Sequence, residues 1–160
     1  QCKEAQSEKI FLEAQNLAGK GQFLNAISKL QEITEITSDV SVFEKVKLLS
    51  DQWSKEILLL ASKVYQSGKL DSLTTSVNLA KAVPQYSSAY KDAQESIRNW
   101  TNESQANEKI MKQAEDLLEE GNWNAAIDKA STVTLQGKAF PQDSEYRKNL
   151  VNFITKAKAI

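Results

Sequence analysis

The sequence predicts an all-α fold: a right-handed α-solenoid of three lengthened helical hairpins, with about seven helices and no strand. Three observations lead there. First, the stretch AQNLAGKGQFLNAISKLQEI (Ala14–Ile33) returns as ASKVYQSGKLDSLTTSVNLA (Ala61–Ala80) and as AEDLLEEGNWNAAIDKASTV (Ala114–Val133). Each copy reads as an amphipathic helix, a glycine (Gly21, Gly68, Gly121), a large apolar residue two places on, and a second amphipathic helix. Second, two markers share one interval: Gly21 and Gly68 lie 47 residues apart, and so do Trp53 and Trp100, each of which follows an aromatic (Phe43, Tyr90) by ten residues. Third, Ala, Leu, Lys, Glu, Gln and Ser dominate while Gly (5) and Pro (2) are few, which favours helix. A hairpin repeated at such a period cannot bury its own apolar face, so the units are expected to stack.

The first helix runs over about 3–19, with Ile10, Ala14, Leu17 and Ala18 at helical spacing. Gly19 and Gly21 end it, since glycine takes a left-handed C-cap at little cost. From about 22 to 36 a second helix puts Phe23, Ala26, Ile27, Leu30 and Ile33 on one face, and the short turn makes the pair antiparallel. The β-branched stretch ITEITSDVSV reads as a helix end and loop, because Ser41-x-x-Glu44 is a capping box for the next helix.

That third helix has no breaker before Gly68 and is expected over about 41–67, with Phe43, Val46, Trp53, Ile57, Leu60, Ala61 and Val64 on its stripe. A fourth, over about 69–82, stops at Pro84. A fifth pattern, 88–120, has Tyr90, Ala93, Ile97 and Trp100 and then lapses: between Thr101 and Lys109 only Ala106 is apolar. This polar interval is either an exposed shaft or a break. Helices over about 122–134 and 142–158 close the chain, Pro141 standing near the start of the last. The units are about 3–40, 41–86 and 87–160, within one helical-repeat domain over 1–160.

Each hairpin resembles a tetratricopeptide repeat (TPR). The resemblance rests on Ile10, Ala14, Leu17, Gly21, Phe23 and Ala26. The set recurs as Ile57, Ala61, Val64, Gly68, Leu70 and Leu73, then as Ile110, Ala114, Leu117, Gly121, Trp123 and Ala126. Leu73 stands where that pattern has a small residue, so the second hairpin is expected to splay. A TPR repeats every ~34 residues; the surplus here is the Phe43–Trp53 and Tyr90–Trp100 segments. The second unit, LAKAVPQYSSAYKDAQESIRNW, is similar to a helical repeat of uncharacterised cyanobacterial multidomain proteins, often labelled by weak similarity to chromosome-segregation ATPases.

In TPR proteins the inner helices line a concave groove. The resemblance implies a partner groove of Phe11, Leu58 and Met111, then Gln15, Ser62 and Glu115 one turn on, then Ala18, Tyr65 and Leu118. Such an apolar surface suits a peptide or helix, unless the added helical segments cover it and make it core. The carboxylate-clamping TPR type is not expected: at its basic positions stand Phe11, Gln15, Leu59, Glu108 and Lys112.

Little chemistry is foreshadowed. There is no histidine, the commonest general base and metal ligand. Cys2 is the only cysteine, and whether it marks a lipid attachment stays open. No phosphate loop, Cys/His ligand set or nucleophile elbow appears, so neither an enzyme nor a cofactor is expected. Helical spacing assigns Trp53, Trp100 and Trp123 to the core. Glu115, Asp116, Glu119 and Glu120 read as a solvated face, as do Arg147, Lys148, Lys156 and Lys158. Asn99-Trp-Thr and Asn102-Glu-Ser match glycosylation acceptors, a pattern common by chance.

With a net charge of −1, nothing draws the chain to nucleic acid, and no apolar run reaches the ~18 residues of a membrane span. The expected role is a protein- or peptide-binding, non-catalytic scaffold or spacer, part of a larger bacterial protein and cytoplasmic. The alternatives are a nucleic-acid-associated module and a self-assembly unit.

Overall fold

A computed structural model describes residues 2–69, 71–140 and 145–159, the side chains at 146 and 147 excepted. Among the described residues the chain forms seven helices and no strand: α1 (Lys3–Gly19), α2 (Phe23–Ile36), α3 (Val40–Gln66), α4 (Ser72–Lys81), α5 (Tyr90–Glu119), α6 (Trp123–Ala130) and α7 (Glu145–Ala159). Leu70 and Pro141 of the sequence patterns, and the side chain of Arg147, lie outside the description. The contacts gather into two compact units. Unit 1 comprises Gln1–Leu60 and Asn78–Gln94, and unit 2 comprises Ala61–Val77 and Glu95–Ile160.

In unit 1, α1 packs on α2. Ala14, Ala26, Leu30 and Ile33 are sealed from solvent, the small residues allowing close approach and the large ones filling the space. The turn between the helices is a Schellman motif: the Gly21 amide donates to Ala18 O (2.9 Å) and the Gln22 amide to Leu17 O (2.9 Å). Gly21 has φ +78°, which a side chain would strain.

The α5–α6 turn of unit 2 repeats this geometry 100 residues later. Gly121 (φ +79°) donates to Leu118 O at 3.0 Å and Asn122 to Leu117 O at 2.9 Å. Ala114, Ala126 and Ala130 are sealed as their counterparts are. The Gly68 turn keeps the positive φ (+65°), but α4 starts four residues after the glycine rather than two.

Three details differ from the sequence patterns. The cap of α3 is Asp39, one position before the helix: its Oδ1 accepts the Ser41 amide (2.9 Å) and hydroxyl (2.7 Å). The aspartate reaches the free second amide of the helix, and Ser41 is already inside it. Phe43 and Leu60 are exposed at 36% and 43%. The buried line of α3 steps by four through Trp53, Ile57, Ala61 and Tyr65, and Leu60 stands about 100° off it. Finally, α5 crosses the polar interval 101–109 without a break, while α6 ends at Ala130 instead of near 134. The hydroxyls of Ser131 and Thr132 turn back onto Ile127 O (2.8 Å) and Lys129 O (2.7 Å), competing with further helix.

Candidate functional site

The residues of the sequence-derived groove divide by burial. In unit 1, Phe11 is buried at 6% exposure, and Lys45 lies over its ring, Nζ 4.3 Å from the centroid. Gln15 is exposed and Leu58 half-buried. In unit 2, Tyr65 is buried at 3%, stacked on Trp100 with ring centroids 5.1 Å apart. Ser62, Met111 and Leu118 are half-buried, and Glu115 is exposed. Lys45 and Trp100 belong to the very segments that lengthen the repeats, so Phe11 and Tyr65 are core rather than open surface. Trp53 and Trp100 are core as well. Trp123 is not: it opens α6 at the hairpin tip and is 42% exposed.

Two carboxylates, neither singled out by pattern, organise the polar contacts. In unit 2, Glu103 stands in the polar interval of α5. Its Oε1 accepts the Tyr65 hydroxyl (2.6 Å) and the Gln136 amide (2.7 Å), and its Oε2 accepts the Gly137 amide (2.9 Å) and the Thr134 hydroxyl (3.1 Å). Asn107, one turn on, brackets the Thr134 backbone, donating to its carbonyl (2.7 Å) and accepting its amide (3.1 Å).

The segment so held is a two-residue turn. Gln136 (φ 51°) and Gly137 (φ 75°) sit between Leu135 and Lys138, which exchange backbone hydrogen bonds. Positive φ at both central residues defines a type I′ turn, and its two free amides face the carboxylate. Burial raises the Glu103 pKa, but the Tyr65 hydroxyl, the two amides and Thr134 together hold it below the ordinary range. Burial and the neighbouring Glu103 carboxylate push the Tyr65 phenol the other way, upward.

In unit 1, Asp51 of α3 does the same for residues 84–89. Its Oδ1 accepts the Ser88 amide (2.6 Å), the Ser88 hydroxyl (2.8 Å) and the Ser87 hydroxyl (2.9 Å), and Lys55 Nζ lies 3.4 Å from Oδ2. Burial works to raise this carboxyl, yet the serines and Lys55 outweigh it and the pKa falls to about 2. Both carboxylates are thus committed as acceptors, holding loops in place. Glu115, Asp116, Glu119 and Glu120 are exposed. Among the described residues no group of three or more His, Cys, Asp or Glu is placed to hold a metal ion, and no helix is long and apolar enough to cross a membrane.

In unit 1 two open clefts meet at Lys47 and Tyr86. One, of about 490 Å³, lies among Gln31, Thr34 and Glu35 of α2 and Phe43 and Val46 of α3. The other, of about 470 Å³, runs on past Glu44, Leu48 and Asp51 to Ser87 and Ser88. Leu48 and Tyr86 are 59% and 43% exposed, so the clefts present large apolar groups to solvent. No sequence pattern marked this place. Phe43 and Leu48 are two of several large apolar residues that α3 leaves exposed, with Val40, Leu59 and Leu60, so hydropathy alone did not single the place out.

No family model matches the chain, and no curated protein or solved structure matches it either.

Proposed function

We propose that the chain is a non-catalytic helical-repeat scaffold that binds another protein or holds neighbouring domains at a fixed spacing. Its hairpins would stack as a right-handed, TPR-like solenoid. The observation that carries this reading is the equivalence of the Gly21 and Gly121 turns. The shared capping bonds, glycine conformation and sealed alanines support reading the two helix–turn–helix segments as copies of one unit. Copies of a helical hairpin gain their core by stacking on neighbours, and the stack offers long surfaces with little chemistry. The committed state of Glu103 and Asp51 supports the same reading, since the carboxylates with shifted pKa and several donors are spent on loops.

The test is affinity capture with the purified chain as bait, with and without nuclease, read by mass spectrometry and repeated at raised salt. A defined protein retained after nuclease treatment is the expected result. Recovery that vanishes with nuclease, together with direct DNA binding that falls steeply as salt rises, would replace this reading by the nucleic-acid-associated one. Retention of the chain alone, with light scattering that grows with concentration, would replace it by self-assembly.

A further inference from the structure

Resting on the scaffold reading, we infer that the paired clefts of unit 1 are a docking site for a basic amphipathic segment of a protein partner. That segment would carry Lys or Arg beside one or two large apolar residues. The wall formed by α3 runs from Phe43 to Asp51, about 12 Å at 1.5 Å per residue, or some two turns of a bound helix. Phe43, Leu48 and Tyr86 give the apolar contacts.

Charge selects the occupant. Glu35, Glu44 and Asp51 line the clefts against the single lining lysine, Lys47, with Lys55 reaching Asp51 from the side. The end of α2 adds to this. It has no basic residue in its own last turn, so the negative end of its dipole adds to Glu35, with Lys47 the one lysine of that cleft. An acidic or nucleic-acid partner would meet like charge here. A cationic one gains from Glu35, Glu44 and the end of α2 while burying its apolar residue, Asp51 being already engaged by Ser87, Ser88 and Lys55.

Two short peptides test this, with the same leucine stripe and either lysine or glutamate at every other position, each followed by fluorescence anisotropy on the intact chain. The lysine peptide binds at least about tenfold tighter, a difference of about 1.4 kcal/mol. The double variant Glu44→Lys, Leu48→Lys removes that preference and leaves the helical circular dichroism unchanged, both positions being exposed. A control, Glu119→Lys with Glu120→Lys on unit 2, leaves binding as it was. Equal binding of both peptides, no binding of either, or equal loss in the control variant overturns the inference. If capture yields a protein whose retention ignores Glu44→Lys, Leu48→Lys, the docking site falls and the scaffold reading stands. If capture yields no protein, the docking site falls with the protein-binding reading, and only the spacer role stands.

Discussion

The Tyr65 ring lies on the Trp100 ring at 5.1 Å with 21° between their planes, and the phenol hydroxyl reaches past the indole to Glu103. One aromatic pair thus joins α3 to α5 within unit 2 and delivers a proton donor to the carboxylate that holds the Leu135–Lys138 turn. Trp100→Ala removes a nearly sealed indole and leaves a cavity beside Tyr65, so unfolding stability falls by about 3–5 kcal/mol. Trp100→Phe keeps a ring to stack on and loses less. Urea unfolding of both variants, with the slope compared to that of the parent, checks the order.

Glu103→Ala takes one acceptor from four donors. The Tyr65 hydroxyl is left buried without its partner, and the amides of Gln136 and Gly137 open to water. Stability falls by on the order of 2–3 kcal/mol, the scale of hydrogen bonds to a charged group. Hydrogen exchange separates this from a general loosening: the two turn amides accelerate far more than those of α1 and α2.

Asp51 sets an acid limit for unit 1. Its pKa is 3.8 in the unfolded chain and about 2 when folded, so between those values the unfolded state binds more protons and stability rises with pH. The contribution is complete above about pH 4 and disappears as pH falls towards 2. In Asp51→Asn this leg of the stability curve flattens, as acid titrations of denaturant midpoints would register. Glu103, also shifted downward, keeps its own leg in that variant, losing stability as pH falls below the usual glutamate range.

Gly21 and Gly121 have nothing within 4 Å of the place a Cβ would occupy. The cost of Gly→Ala at either is therefore backbone strain alone, about 1–2 kcal/mol for the left-handed region. Matching losses at the two positions are expected. A loss at Gly121 several times that at Gly21 would contradict the equivalence of the turns.

Local pattern carried the fold a long way because helix signals are local. The stripe, the glycine turns and Pro84 placed seven helices to within a few residues at most ends. What escaped was set by residues distant in sequence. Thr101–Lys109 looks like a bare polar shaft, yet Glu103 and Asn107 are covered by a turn some thirty residues later. Gln136-Gly137 is not one of the dipeptides that mark a type I′ turn, so local sequence did not single it out. Phe11 was assigned to a groove by its place in the repeat. It is buried, and Lys45, a residue of the segment that sets these units apart from an ordinary TPR, lies over its ring. Asp39 caps α3 in place of Ser41 because it stands directly before the helix, while Ser41 lies inside it.

The turns at Gly21 and Gly121 close with hydrogen bonds that reach back no more than five residues. Closing so short a loop costs little chain entropy, and contacts near in sequence form early. Each hairpin can therefore assemble on its own clock, ahead of any partner it later packs against. The two latches work on a different scale, joining Asp51 to residues 36 and 37 positions away and Glu103 to residues 31 to 34 positions away. Contacts of that span are expected to form after the hairpins. Weakening Asp51 or Glu103 should mainly speed unfolding, whereas damage to either glycine turn should slow the folding rate itself.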